Sequence, residues 1–200
     1  MEKMRVAVFA SGSGTNLQAI IDAEIDTIDI VLVFSNKPGA YAIERAEKHN
    51  IPTEVIDHKG YSEREDFDRA VLEAIEPYKP DLLVLAGYMR ILSPVFVRAY
   101  KNKIINIHPA LLPSFPGINS GRQALEYGVK YTGVTVHYVD EGVDTGPIIL
   151  QQIVKIEDTD EENSLLEKIH QVEHRIYPEA ISLVSSGEVE IVGRRVLKKN

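Results

Sequence analysis

Residues 4–20 read MRVAVFASGSGTNLQAI, and the fold turns on how they are parsed. MRVAVFA is a buried-strand run, SGSGTN is a cluster of small turn formers, and Leu17, Ile20 and Ile21 then recur at helical spacing. The unit is strand, loop, helix. Working outward, it repeats: strand IDIVLVF ending at Phe34, a helix from Tyr41 through His49, strand TEVI (53–56), a longer helix over 62–78, and strand DLLVLAG (81–87). Alternating strands and helices imply a mostly parallel, Rossmann-like α/β sheet with helices on both faces. Ser62 followed by Glu65 reads as a capping box for the long helix.

The pattern changes in the second half. After Ser93-Pro94 a short helix VFVRAY leads to strand KIINIH (103–108) and the proline-rich loop PALLPSFPG. GVTVHYV (133–139) and PIILQQIVKI (147–156) then alternate like antiparallel strands joined by the turn segment DEGVDTG. Thr159 and Glu162 read as a second capping box, opening a helix that runs to about Val184. The basic tail Gly193–Lys199 reads as a solvated end. No repeat or linker divides the chain, so residues 1–200 are expected to form one domain, with a nucleotide-binding half over 1–102 and a catalytic half over 103–200.

Composition removes whole classes of chemistry. Cysteine is absent, which excludes disulfides, thiolate nucleophiles and Cys-ligated zinc, so catalysis must run on His, carboxylates, amides or backbone groups. A formal charge of −8 argues against a general nucleic-acid binder, which needs a positive surface to displace counterions. No apolar run is long enough for a membrane span or a signal segment, and a cytoplasmic location is the default expectation.

Three constellations carry chemistry. The loop Ser11-Gly12-Ser13-Gly14-Thr15-Asn16 opens a helix, where backbone N–H groups and the dipole favour an anion. It is not a full dinucleotide fingerprint, because Leu17 stands at the third glycine position and Ser35-Asn36 replace the ribose-binding acid. A flexible glycine turn and a site for one phosphate monoester both remain open. Asn106 and His108, two apart on a strand, share a face at the carboxyl edge of the sheet. Asp144 in the following loop could orient that imidazole and favour its cationic form, or could be unrelated to it. His170-Gln171-Val172-Glu173-His174 matches the H-x-x-E-H signature of one zinc peptidase class but lacks an evident third ligand downstream. His49 and His58 read as surface or helix-end residues, and His137 as a strand residue without an evident partner.

Together these blocks carry a resemblance that composition does not. ASGSGTNLQAI, VFSNKPGAYAIERA, LAGYMRILSP, NIHPALLPSFPG, GVTVHYVDEGVDTGPII and VEHRIYP resemble, end to end, the folate-dependent phosphoribosylglycinamide formyltransferases of purine biosynthesis. Related deformylases carry a second His after the first and a regulatory domain, and methionyl-tRNA formyltransferases carry a C-terminal domain for which 200 residues leave no room. The resemblance implies formyl transfer from 10-formyltetrahydrofolate, a cosubstrate, to the amine of glycinamide ribonucleotide, with Asn106, His108 and Asp144 catalytic. It implies phosphate on Gly14, Thr15 and Asn16, ribose on Glu173, and a charge from His170. Folate contacts would come from Arg64, Met89, Arg90, Ile91, Leu92, Asn106, Asp140 and Glu141. No metal is expected, nor nucleic acid or membrane partners, and the chain is expected to be a monomer or homodimer. Ile118-Asn119-Ser120-Gly121 depart from the histidines some members carry after Pro116-Gly117. The tight course of the loop suggests a cis bond before Pro113.

Overall fold

A computed structural model describes residues 2–199. The chain divides into two compact units, Met1–Ile105 and Asn106–Asn200. In the first, β1 (Met4–Phe9), α1 (Thr15–Asp22), β2 (Ile28–Ser35), α2 (Tyr41–Lys48), β3 (Thr53–Val55), α3 (Arg64–Ile75), β4 (Leu82–Leu85), α4 (Pro94–Ala99) and the start of β5 (Ile104–His108) alternate as the periodicity requires. The strands lie in the order β3-β2-β1-β4-β5, the nucleotide-fold order. β1 pairs in parallel with both β2 and β4, setting Val6 opposite Ile30 and Leu82. β1 and β2 are apolar nearly throughout because both faces of a parallel sheet are covered; Val6, Val8, Phe9, Leu32 and Phe34 are fully buried. Phe9 anchors an aromatic cluster, 4.8 Å from Phe34 and 5.4 Å from Tyr88 between ring centroids.

The second unit orders its strands β5-β6-β7-β9-β8, with β6 (Tyr131–Tyr138), β7 (Ile148–Lys155), β8 (Val189–Val192) and β9 (Arg195–Lys198). β6 and β7 are antiparallel, and their register shifts between Val136 and His137. Two helices complete the unit, α5 (Ser120–Tyr127) and α6 (Glu162–Ser185). The bond between Leu112 and Pro113 is cis.

Four sequence readings are corrected. Ser62 does not cap α3: the N-cap is Glu63, without a side-chain bond, because burial of Phe67, Val71 and Ile75 sets a start at Arg64. Thr159 and Glu162 do not form a box either. Glu161 and Ser164 do, while Asp160 gathers Lys168 Nζ at 2.6 Å, Ser164 Oγ at 2.9 Å and the Glu157 N–H at 2.8 Å, which holds its carboxyl down at about 2. α5 escaped the sequence reading because it follows three prolines and carries few apolar residues. The basic tail is a strand: β8 and β9 form a hairpin turning at Gly193, and Arg194 Nη2 donates to Thr145 O at 2.9 Å.

Candidate functional site

The second unit assembles a polar cluster at the end of β5. Strand alternation places Asn106 and His108 on one face, and the loop after His108 folds back over them. That loop is pinned from β6 and β7: Thr135 Oγ1 donates to Ala110 O at 2.7 Å and accepts from the Leu112 N–H at 3.1 Å, and Gln151 Nε2 donates to Leu112 O at 2.9 Å. The course it imposes delivers the Phe115 carbonyl to His108 Nε2 at 2.8 Å. A carbonyl only accepts, so Nε2 carries the hydrogen. Nδ1 then faces Asp144 Oδ2 at 3.4 Å, an approach that is attractive only when Nδ1 is protonated too. Both groups are nearly closed to solvent, with side-chain exposures of 5% and 12%.

Asp144 is held for this task. Its backbone is left-handed, φ 54°, and its Oδ2 accepts the Gly117 N–H at 2.7 Å. Two residues on, Gly146 passes so close to β6 that a Cβ would lie 1.7 Å from Tyr138 O, and only glycine fits. Asp140 braces the loop from inside, accepting Thr145 Oγ1 at 2.6 Å and the Gly142 N–H at 3.1 Å. Its Oδ1 is therefore spent within the loop, while Glu141 is exposed.

His137 belongs to the cluster, contrary to the reading that left it without a partner. Its Nδ1–H donates to Tyr138 O at 2.8 Å, so Nε2 is the acceptor, 3.4 Å from Asn106 Nδ2 and 3.7 Å from Asp144 Oδ1. Burial pushes this imidazole below its ordinary value, against the opposing pull of the Tyr138 carbonyl and Asp144. The neutral ring thereby fixes the Asn106 carboxamide with nitrogen toward His137, leaving its second N–H to point elsewhere. The register shift beside His137 is the sort of irregularity that re-aims a side chain. The missed signal was the pair Thr135 and His137, two polar residues two apart on the strand and both buried.

On α6, Glu173 is buried and faces the buried Tyr177, whose hydroxyl is pushed well up by burial and by that carboxylate. His170 is exposed and stacks on His174, rings 6.4 Å apart and 13° from parallel. Burial, then His170, lowers His174. Among the described residues no group of three or more His, Asp or Glu could hold a metal ion, so the zinc-like motif gathers no third ligand.

The first unit carries the glycine loop. Gly14 caps α1 in the left-handed region, φ 70°, and a Cβ there would meet Ala42 at 2.8 Å. The Gly12 and Ser13 carbonyls turn away to accept the Ala42 N–H at 3.0 Å and Arg45 Nε at 2.8 Å. The first-turn N–H groups of α1 have no carbonyl acceptor within the helix, the arrangement that favours an anion. Thr15 is half-buried and Asn16 nearly buried. After β4, the segment Met89-Arg90-Ile91-Leu92 exposes Met89 and Ile91, 69% and 57%, and buries Leu92. The Arg90 guanidinium lies 4.7 Å over the Phe67 ring. Arg64 is exposed at the first turn of α3.

This combination of a nucleotide-fold unit with a His, Asn and Asp cluster on a mixed sheet defines the chain's class. Residues 4–181 match the formyl transferase family, and the chain belongs to it. It is 44% identical over 180 residues to phosphoribosylglycinamide formyltransferase of Bacillus subtilis, covering 88% of this chain and 92% of that protein. A crystal structure of glycinamide ribonucleotide transformylase 1 from Symbiobacterium toebii superposes with a TM-score of 0.96 at 45% identity, covering 99% of this chain and 95% of that one. The trifunctional purine biosynthetic protein adenosine-3 of Chironomus tentans is 50% identical over 194 residues, 94% of this chain but only 14% of that protein. Among the described residues no helix is long and apolar enough to cross a membrane.

Proposed function

We infer that the chain transfers the formyl group of 10-formyltetrahydrofolate to the primary amine of glycinamide ribonucleotide, yielding formylglycinamide ribonucleotide and tetrahydrofolate in de novo purine biosynthesis. The observation that carries this reading is the His108 imidazole, held through Nε2 by Phe115 O and facing Asp144 through Nδ1, beside an Asn106 amide oriented by His137.

The nucleotide amine is the nucleophile, which suits a chain without cysteine. As it attacks the formyl carbon, negative charge grows on the formyl oxygen. Because Nε2–H is committed to Phe115, the donors for that oxygen are His108 Nδ1–H and the second N–H of Asn106. Asp144 keeps the imidazolium in place by charge. Its Oδ2 is occupied by Gly117, so Oδ1 takes the proton of the attacking amine, directly or through a water, and returns it to the departing folate nitrogen. The balance closes: one C–N bond forms, one breaks, and one proton moves between nitrogens.

Gly14, Thr15 and Asn16 are assigned the nucleotide phosphate, Glu173 the ribose hydroxyls, and His170 a charge near the phosphate. The Met89–Leu92 backbone, Asp140 and Glu141 are assigned the pterin, and Arg64 the acidic tail of the folate. The exposed apolar Met89 and Ile91 suit a flat heterocycle. The chain is assigned to the cytoplasm, as a monomer or homodimer without nucleic-acid partners, consistent with its −8 charge. Mixing the purified chain with both substrates tests the reading: free tetrahydrofolate should appear only when both are present, and its absence refutes the assignment.

A further inference from the structure

The glycine loop and the 89–92 segment are joined by one hydroxyl. Ser11, 4% exposed, lies two residues past the end of β1 and is the first residue of the glycine loop. Its backbone N–H donates to Gly87 O at 3.1 Å, and its Oγ accepts the Met89 N–H at 2.8 Å. The hydroxyl hydrogen goes to Asn36 Oδ1. A serine hydroxyl has one donor and two acceptor positions, so Asn36 fixes which way the proton points and thereby aims a lone pair at Met89. Asn36 is in turn held: it is 1% exposed, and its backbone carbonyl accepts from His58 Nδ1 at 2.9 Å. This gives Asn36, just after β2, a task at the position where a dinucleotide fold places an acid. The amide is spent on positioning a serine, not on a ribose.

The 89–92 segment has few other internal ties. Beyond the Met89 N–H, it is fixed by Arg90 over Phe67, and just past it by the Ser93 N–H on Asp68 Oδ2 at 2.6 Å. The Met89 and Ile91 side chains are exposed and do not anchor the segment, which is held by the buried Tyr88 and Leu92 on either side and by the Ser11 hydroxyl on the Met89 N–H. Ser11 therefore ties the start of the glycine loop directly to the Met89 amide and to the Gly87 carbonyl.

We propose that Ser11, oriented by Asn36, is a positioning residue that couples the two loops, so that occupying the glycine loop with the nucleotide phosphate tightens folate on residues 89–92. This rests on the assignment of those loops under the proposed function. Linkage makes the effect reciprocal, and a coupling of about fivefold or more is the usual scale.

The test uses the intact chain with tetrahydrofolate and glycinamide ribonucleotide, a pair that cannot react because no formyl group is present. In the wild type, saturating nucleotide should lower the Kd of tetrahydrofolate about fivefold or more by calorimetry. Ser11→Ala should reduce that factor below about twofold, with kcat within about threefold and the KM of the formyl donor raised about tenfold, as expected for losing one buried hydrogen bond. Ser11→Thr, which keeps the hydroxyl, should restore the coupling. A wild type that transfers formyl groups but lacks the coupling, or a Ser11→Ala that retains it, overturns the proposal. A wild type that transfers none refutes the function instead. Amide exchange at Met89 in the unaltered chain gives a second readout independent of any variant. The Met89 N–H should exchange slowly and be slowed further by the nucleotide, and fast exchange unaffected by nucleotide overturns the coupling.

Discussion

Replacing His137 by Leu isolates what the sequence reading overlooked. The side chain is 2% exposed, so Leu, of similar volume, keeps most of the packing while deleting two hydrogen-bonding atoms. Nδ1–H no longer reaches Tyr138 O, and Nε2 no longer receives Asn106 Nδ2. The first loss leaves a buried carbonyl short of a partner, costing stability of about 1–3 kcal/mol. The second releases the Asn106 carboxamide to rotate. If Asn106 then presents its donor in a minority of molecules, about 1.4–2.7 kcal/mol of transition-state stabilisation is lost, a fall in kcat of about 10- to 100-fold. Because the lost contact acts on developing charge, kcat should fall while both KM values stay within about threefold in steady-state assays. His137→Gln, able to donate and accept, should recover part of the rate. A His137→Leu enzyme with kcat within twofold of wild type would refute the claim that His137 orients Asn106.

The remaining expectations follow from the same geometry. Asp144→Asn preserves an acceptor for Gly117 but removes the charge facing His108 and the proton acceptor, so kcat should fall about 100-fold with the fold retained by circular dichroism; near wild-type turnover contradicts the role. His137 and His174 both sit below their ordinary value through burial, so the unfolded chain binds more protons than the native one at mildly acid pH. Their contribution to stability is therefore full above about pH 6.5 and is lost as pH falls, with a slope for His137 of at most about 1.4 kcal/mol per pH unit. Urea unfolding at a series of pH values checks this, and His174→Gln should flatten the acid loss. Gly146→Ala drives a Cβ into Tyr138 O and should lower the melting midpoint sharply or prevent folding; an unchanged midpoint contradicts the close approach.

The strand and helix alternation of the first unit was legible because buried parallel strands are written as nearly unbroken apolar runs, and β1, β2 and β4 are of that kind. Caps were not, since Ser62 and Thr159 had the right chemistry but burial of neighbouring apolar faces put the helix starts elsewhere. The terminal hairpin carries two arginines and two lysines over residues 194–199 and so looked like a solvated tail, yet Arg194 braces the loop holding Asp144. Asn106 and His108 could be placed on one face by strand period alone. Their meeting with Asp144 and His137 depends on the β6–β7 register and on how the loop after Gly142 turns, which spacing along the chain does not encode.

The central claim is that His108 donates a hydrogen bond to the formyl oxygen, and the turnover of His108→Ala tests it most directly. With glycinamide ribonucleotide and 10-formyltetrahydrofolate saturating, kcat should drop about 100- to 1,000-fold while the variant keeps the circular dichroism and unfolding transition of the wild type. A folded His108→Ala enzyme turning over within a few-fold of wild type would contradict the account.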